Sequence, residues 1–346
     1  MISGRFWSEN AWIPGADGGW AGPSVFSRDA SGVHHLGPVD TIAKAERGAH
    51  LPGVVLPGFT DSHVHLGLVD AATLRARGIA RVVDLGWNPA EAQRWAAAGS
   101  DPAALEVAFA GAFLTAPGGY PTTREWAPST STREIDSGDA AAAAIAEMAG
   151  FGATLVKIAL NTDAGPVWDD ELLRGVVGLA HAAGLPVVAH AQGAGQAVRA
   201  ALAGVDQLAH TPFSERLGDD DIAVLASNCT IVSTLDIHGY GSYGTDFAIA
   251  YDTLARFAAA GGRVLYGTDL GNGPLPEGLN RRELEALIAA GLSLDDVVVA
   301  LTGLSPATST RLSYIAGPVV RDRPDFAQWL MTATVVSSAQ LEEIAE

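Results

Sequence analysis

Two histidines one residue apart, His63 and His65, follow the apolar run Val54-Val55-Leu56-Pro57-Gly58-Phe59-Thr60-Asp61-Ser62. Side chains alternate faces along a strand, so the two imidazoles share a face and can grip one divalent cation. A lone histidine at a strand end is more often a satisfied structural residue than a ligand. Here the pattern recurs, in Val187-Val188-Ala189-His190, in Leu208-Ala209-His210 and in Tyr266-Gly267-Thr268-Asp269. Lys44 and Lys157 are the only lysines, and Lys157 lies in the apolar stretch Ala153-Thr154-Leu155-Val156-Lys157-Ile158-Ala159-Leu160. Burying an ammonium is costly, so a chemical role is the better reason for a lysine there.

The elements that must position these groups alternate between short apolar runs and helical patterns. Eight strand candidates follow in order: Val54 to Leu56 leading into His63, Ala80 to Leu85, Glu106 to Leu114, Thr154 to Leu160, Pro186 to Gln192, Gln207 to Thr211, Thr230 to Ile237, and Arg263 to Asp269. Helical patterns lie between them at Asp169 to Ala183, Ala194 to Ala203, Phe247 to Ala260 and Arg281 to Ala290, and the alanine run Ala140 to Ala144 belongs to another. This order and length predict an α/β fold, a (β/α)8 TIM barrel over residues 53–312. A doubly wound sheet fits less well, because no Gly-x-Gly-x-x-Gly turn follows the first strand. Active sites of such barrels lie at the C-terminal ends of the strands, where His63, His65, Lys157, His190, His210 and Asp269 would meet.

Residues 1–52 and 313–346, the latter with a strand-like run Leu330 to Val336, are expected to form a small β-sandwich-like domain. Ser338 to Ile344 reads as a capped terminal helix turn. The connection from Thr115 to Gly138, 24 residues long, reads as part of a substrate pocket.

A chain of 346 residues, 48% hydrophobic, can bury a large core. With 21 Lys and Arg against 39 Asp and Glu, its formal charge of −18 argues against nucleic-acid and membrane-surface partners and leaves a small-molecule substrate. Homo-oligomerisation stays open. Cys229 is the only cysteine, so no intrachain disulfide can form. With neither a signal-peptide pattern nor an apolar stretch of membrane-spanning length, a cytoplasmic protein is expected.

The stretches Pro57-Gly58-Phe59-Thr60-Asp61-Ser62-His63-Val64-His65, Lys157, His190, Gly204 to His210 and Gly267-Thr268-Asp269 resemble the amidohydrolase superfamily of metal-dependent hydrolases, over nearly the whole chain. Val188-Ala189-His190-Ala191 and Gly204-Val205-Asp206 look most like its imidazolonepropionase and prolidase-like branch, and the segment Glu283 to Thr310 is similar to that branch's closing helices. The resemblance implies a binuclear centre of two divalent ions, best suited to zinc: His63, His65 and Asp269 on one, His190 and His210 on the other, and carboxylated Lys157 bridging. It implies that a metal-bound hydroxide hydrolyses an amide bond, in a dipeptide or a cyclic amide, with Asp269 as proton shuttle.

Tyr120, Arg124, His238, Tyr240 and Tyr243 are candidates for binding the substrate. Relatives often show Pro-Gly-Gly-His where this chain has Pro117-Gly118-Gly119-Tyr120, so a relative's substrate is not carried over. Pro324-Asp325-Phe326-Ala327 likewise departs from an Ala-Asp-Leu strand pattern. Other readings are a lactonase or esterase, or a mononuclear deaminase or imidazolonepropionase-like hydrolase, against which Lys157 counts. A non-catalytic metal-binding scaffold is opposed by the full ligand set.

Overall fold

A computed structural model describes residues 4–15, 18–29, 31–303, 310–337, 340 and 341. The first strands are β1 (Gly4–Ile13), β2 (Gly19–Ala21), β3 (Ser24–Asp29), β4 (Gly32–Pro38) and β5 (Ala49–Pro57). Then come β6 (Thr60–Val64), β7 (Arg81–Asp84), β8 (Glu106–Phe109), β9 (Phe113–Thr115) and β10 (Thr132–Glu134). They continue with β11 (Val156–Asn161), β12 (Val187–Gln192), β13 (Gln207–Leu208), β14 (Thr230–Val232) and β15 (Val264–Leu265), and end with β16 (Arg311–Ile315) and β17 (Thr334–Ser337).

The fold is mixed α/β. One seven-stranded sheet is all parallel, in the order β10-β9-β11-β12-β13-β14-β15, and a three-stranded parallel sheet runs β6-β7-β8. Backbone bonds link the two sheets at both edges. On one side Thr154 N donates to Phe109 O, and on the other Ser62 N reaches Tyr266 O, Asp269 N reaches His63 O and His65 N reaches Leu270 O. The ladders are thus two sheets rather than the single eight-stranded run expected. The short β13 and β15 are extended by isolated bonds rather than continuous pairing.

A second seven-stranded sheet joins the two ends of the chain: β17-β16-β5-β1-β3-β4, with β2 on β1. Its apolar face packs Phe6, Phe26, Leu51, Val55 and Leu312 together. The apolar run from Val54 therefore splits. Val54 to Leu56 belong to this outer sheet through β5, and only from Thr60 does the chain enter the inner sheet as β6. Gly58 is the crossing point, where an added Cβ would lie 2.7 Å from the Ala80 side chain. The expected strand Glu106 to Leu114 also divides, at Gly111, whose φ of 78° suits glycine. In Leu330 to Val336 only the end is strand; Leu330 closes the helix Arg323–Leu330, started by Pro324 in its first turn.

The four expected helices appear as Asp170–Ala182, Gln196–Leu202, Thr245–Ala259 and Arg281–Ala289, and the alanine run sits in Gly138–Phe151. Three of these five open on a side-chain cap: Ser137 accepts from Ala140 N, Asp169 from Leu172 N and Asn280 from Arg282 N. Within Thr115 to Gly138 the structure adds β10 and a short 3-10 turn, Ser129–Ser131. Ser305 to Ala307 and most of Ser338 to Ile344 lie outside the described residues. No helix among the described residues is long and apolar enough to cross a membrane.

Candidate metal centre

His63 lies in β6 and His65 just beyond it, and both are buried. His63 Nδ1 is 2.8 Å from Ala209 O, and His65 Nδ1 is 3.1 Å from Gly86 O. A carbonyl can only accept, so each Nδ1 carries its ring's proton and each neutral ring presents a bare Nε2 lone pair. Both lone pairs face the same oxygen. Asp269 Oδ1 is 3.0 Å from His63 Nε2 and 3.2 Å from His65 Nε2.

Burial pushes the His63 imidazolium down to about 4 against the pull of Asp269, so no proton sits in the 3.0 Å gap at neutral pH. Burial would raise Asp269, but the positive charge that His63 and His210 carry once protonated at low pH prevails and holds it well below the usual carboxylate range, so at neutral pH it is an acceptor only. Three acceptors therefore converge without a donor. His63 Nε2 and Asp269 Oδ1 are buried atoms with no hydrogen-bond partner, as is Lys157 Nζ. A divalent cation satisfies such a cluster, so the donor set fits a bound metal ion.

His210 and His190 adjoin this cluster. The His63 and His210 ring centroids are 4.7 Å apart, and those of His210 and His190 are 4.9 Å apart. His210 Nδ1 is 3.0 Å from Thr234 Oγ1. His190 Nε2 lies 3.2 Å from both Gln192 Oε1 and Asn161 Nδ2, so its polar partners are all on that edge. Burial lowers His190 to about 3 and His210 well below the ordinary imidazole value, keeping both neutral. Lys157, 1% exposed, projects from β11 into the same cavity, and burial outweighs Asp269 and Asp84 to bring it down to about 7. The structure brings all six groups expected from the sequence to one cavity of about 410 Å³.

The carboxylates that brace this cluster were not picked out as site residues from the sequence. Asp61 accepts from His63 N and Thr268 N, both at 3.1 Å, and from Thr268 Oγ1 at 2.6 Å, tying β6 to the segment that carries Asp269. Burial raises its carboxyl to about 7. Asp84 accepts from Leu66 N at 2.7 Å and Gly86 N at 3.2 Å, which sets the carbonyl that orients His65. Asp269 itself sits at φ 56°, and its Oδ2 accepts from Asn272 Nδ2 at 2.9 Å. The signal for Asp61 was present, an acid two residues before His63 at the end of a buried run, whereas Asn272 lies in a glycine-rich loop without pattern.

Of the expected substrate residues, Tyr120 and His238 line the cavity. Tyr120 stacks on His190 with centroids 4.8 Å apart and planes 22° apart, and burial with Asp269 nearby raises its hydroxyl, which stays protonated. Tyr240 reaches the rim, where an added Cβ on Gly273 would lie 2.2 Å from its hydroxyl. Arg124 lies behind Tyr120, its Cζ 5.6 Å from the ring centroid, and is not part of the lining. Tyr243 is 82% exposed and packs on Phe247. Phe113, Trp126 and Phe213 supply apolar walls that sequence reasoning missed, since no periodic pattern marks them.

No curated protein matches the chain. Among solved structures it is similar to a Xaa-Pro dipeptidase with bound methionine (16% identity, 100% of both chains covered, TM-score 0.76). It is likewise similar to the ochratoxinase of A. niger (16% identity, 97% of this chain and 95% of that one, TM-score 0.75). A third similar structure is a prolidase complexed with N-methylphosphonate-L-proline (17% identity, 97% and 100% covered, TM-score 0.73). The sequence profile of the amidohydrolase family matches residues 54–313. The chain therefore belongs to the amidohydrolase family and is a metal-dependent hydrolase.

Proposed function

We propose that this chain is a binuclear amidohydrolase that cleaves the amide bond of a dipeptide, in the manner of a prolidase, or of a cyclic amide. The observation that carries the reading is the convergence of two bare imidazole nitrogens on one carboxylate oxygen, with Lys157, His190 and His210 beside them. His63, His65 and Asp269 would hold one ion, and His190 and His210 the other. Lys157 would bridge them as a carbamate. Its amine is unpartnered and brought down to about 7 by burial, so a neutral lone pair is available to take up carbon dioxide.

Divalent ions bound here would lower the pKa of water and polarise the substrate carbonyl. Asp269 would accept a proton from the attacking water and return it to the leaving nitrogen. Its Oδ2, fixed by Asn272, and its Oδ1, aimed at the imidazoles, keep the carboxylate in one orientation. Asp61 keeps that segment against β6. Tyr120 and His238 would contact the substrate within the cavity, Tyr240 at its rim.

At the level of architecture, residues 53–312 are proposed to form a closed (β/α)8 barrel, and 1–52 with 313–346 a small β-domain in a cytoplasmic protein. The bonds joining β6 to residues 266–270 support closure. A panel of dipeptides, lactams and lactones offered to the metal-loaded protein tests the activity. Dipeptide turnover that vanishes in folded Asp269→Asn is expected, and turnover of lactones alone would overturn the amide assignment.

A further inference from the structure

Among the described residues, three other than glycine hold a left-handed backbone: Asp269 at φ 56°, Tyr240 at φ 52° and Thr234 at φ 41°. All three stand in or beside the metal-bearing cavity. Thr234 is the costliest of them, because a β-branched side chain crowds the backbone in that region. Such strain persists only where the surroundings impose it, and it clusters at functional positions. Here it serves one hydrogen bond. Thr234 is fully buried, and its Oγ1, 3.0 Å from Nδ1, is the hydrogen-bond partner of the His210 side chain. His63 and His65 rest on backbone carbonyls, Ala209 O and Gly86 O. His210 rests on a side-chain hydroxyl instead, so the aim of its ring depends on where the backbone at 234 carries that hydroxyl. A hydroxyl that accepts from Nδ1–H leaves Nε2 bare for an ion.

What imposes the strain is a carboxylate clamp. Glu283, in the helix Arg281–Ala289, is fully buried yet does not line the cavity. Burying a carboxylate is costly, and the hydrolytic chemistry has no use for this one. Its Oε1 accepts from Leu235 N at 3.0 Å and its Oε2 from Asp236 N at 2.8 Å. These are the first two amides of the 3-10 turn Leu235–His238, which Thr234 opens. Asp236 in turn accepts from Asn280 Nδ2 at 2.7 Å and pairs with Arg282 at 2.8 Å. Thr234 N itself donates to Gly267 O at 3.1 Å, so the residue is gripped from both sides.

We propose that Thr234 is a positioning residue that aims His210 at its ion, and that Glu283 acts through it, pinning the following turn so that Thr234 stays left-handed. The inference rests on the binuclear reading, in which His63, His65 and Asp269 hold the first ion and His190 and His210 the second.

Two measurements on the full chain separate these claims. Imidazole nitrogen spectra of the metal-free protein read the His210 ring without any ion, and zinc titration against a chelator reads the affinity of each ion. Thr234→Val keeps the shape and removes the hydroxyl; it is expected to shift the His210 Nδ1 signal and leave those of His63 and His65 in place. Thr234→Ser should return the signal. In the titration Thr234→Val should weaken the second ion about 10- to 100-fold and spare the first, while Thr234→Ser keeps most of the affinity. Glu283→Gln, which turns an NH2 toward one of the two amides, should weaken the same ion, and the double variant should lose no more than Thr234→Val alone. Arg282→Gln loosens the same turn from the surface, gives a smaller loss of the same ion, and stands in if Glu283→Gln does not fold. A Thr234→Val protein with the His210 signal and the second ion unaltered overturns the proposal. Losses that add in the double variant, or that fall on both ions alike, overturn the part given to Glu283. If the His210 signal responds as expected while the protein takes up a single ion, the positioning stands and the binuclear reading fails.

Discussion

Replacing Asp269 by asparagine should stabilise the metal-free protein while destroying its response to metal. In the stripped protein two imidazole lone pairs face Asp269 Oδ1 at 3.0 and 3.2 Å with no donor between them. Each buried acceptor left unpaired costs about 1–3 kcal/mol. An asparagine amide turned toward the imidazoles donates to both, and its oxygen can still accept from Asn272. Loss of the carboxylate's attraction for Lys157 works the other way, but at pH 8 that amine, lowered to about 7, is mostly neutral. The gain should therefore be about 2 kcal/mol, the lower end of the combined range. For a chain of this length that raises the melting temperature by roughly 3 °C. Wild type supplied with zinc at about 100 times its dissociation constant should gain about 2.7 kcal/mol, and Asp269→Asn much less. Scanning calorimetry of both proteins, stripped and loaded, reads all four states. A stripped variant less stable than stripped wild type would show that the three acceptors are not in conflict, and the argument for a cation at this site would lose its basis.

Other consequences follow from the same geometry. His63 and His190 titrate near 4 and 3, so the unfolded chain takes up their protons first as pH falls below the ordinary 6.5. They stabilise the fold at neutral pH and lose that contribution between pH 6.5 and about 3, and bound metal should persist at pH 5; release between pH 7 and 6, followed by atomic absorption, would contradict this. Lys157→Met, which fills the same buried space without a ligand, should bind one ion fewer per chain and lose hydrolysis, as counted by metal analysis of folded protein. Asp61→Ala strands three buried donors from His63 and Thr268 and should cost about 3 kcal/mol or more in urea unfolding, whereas Asp61→Asn keeps one acceptor and should cost less than half of that.

The ligand set was legible because each member stands out against its surroundings: imidazoles ending apolar runs, and a lysine inside one. Helix positions were legible from periodicity and caps. The break in the apolar run from Val54 was not, because hydropathy cannot distinguish one buried strand from two buried strands meeting at Pro57-Gly58. Glu106 to Leu114 failed in the same way at Gly111. Asp61 stood out only as a motif member and Asp84 only as part of a strand candidate, since their work is to accept backbone protons from segments distant in sequence. Phe113, Trp126 and Phe213 become neighbours only when separate strand ends and loops fold over one mouth, and nothing in their local sequence announces it.

Counting bound ions and hydrolysis together, as zinc is returned to stripped protein, tests the binuclear reading most directly. The expected result is two ions per chain, with dipeptide cleavage rising as the second site fills and a carbamate carbon signal from Lys157 in protein prepared with labelled carbon dioxide. Full activity with a single ion and an unmodified Lys157 amine, or no ion retained at His63 and His65, would contradict it.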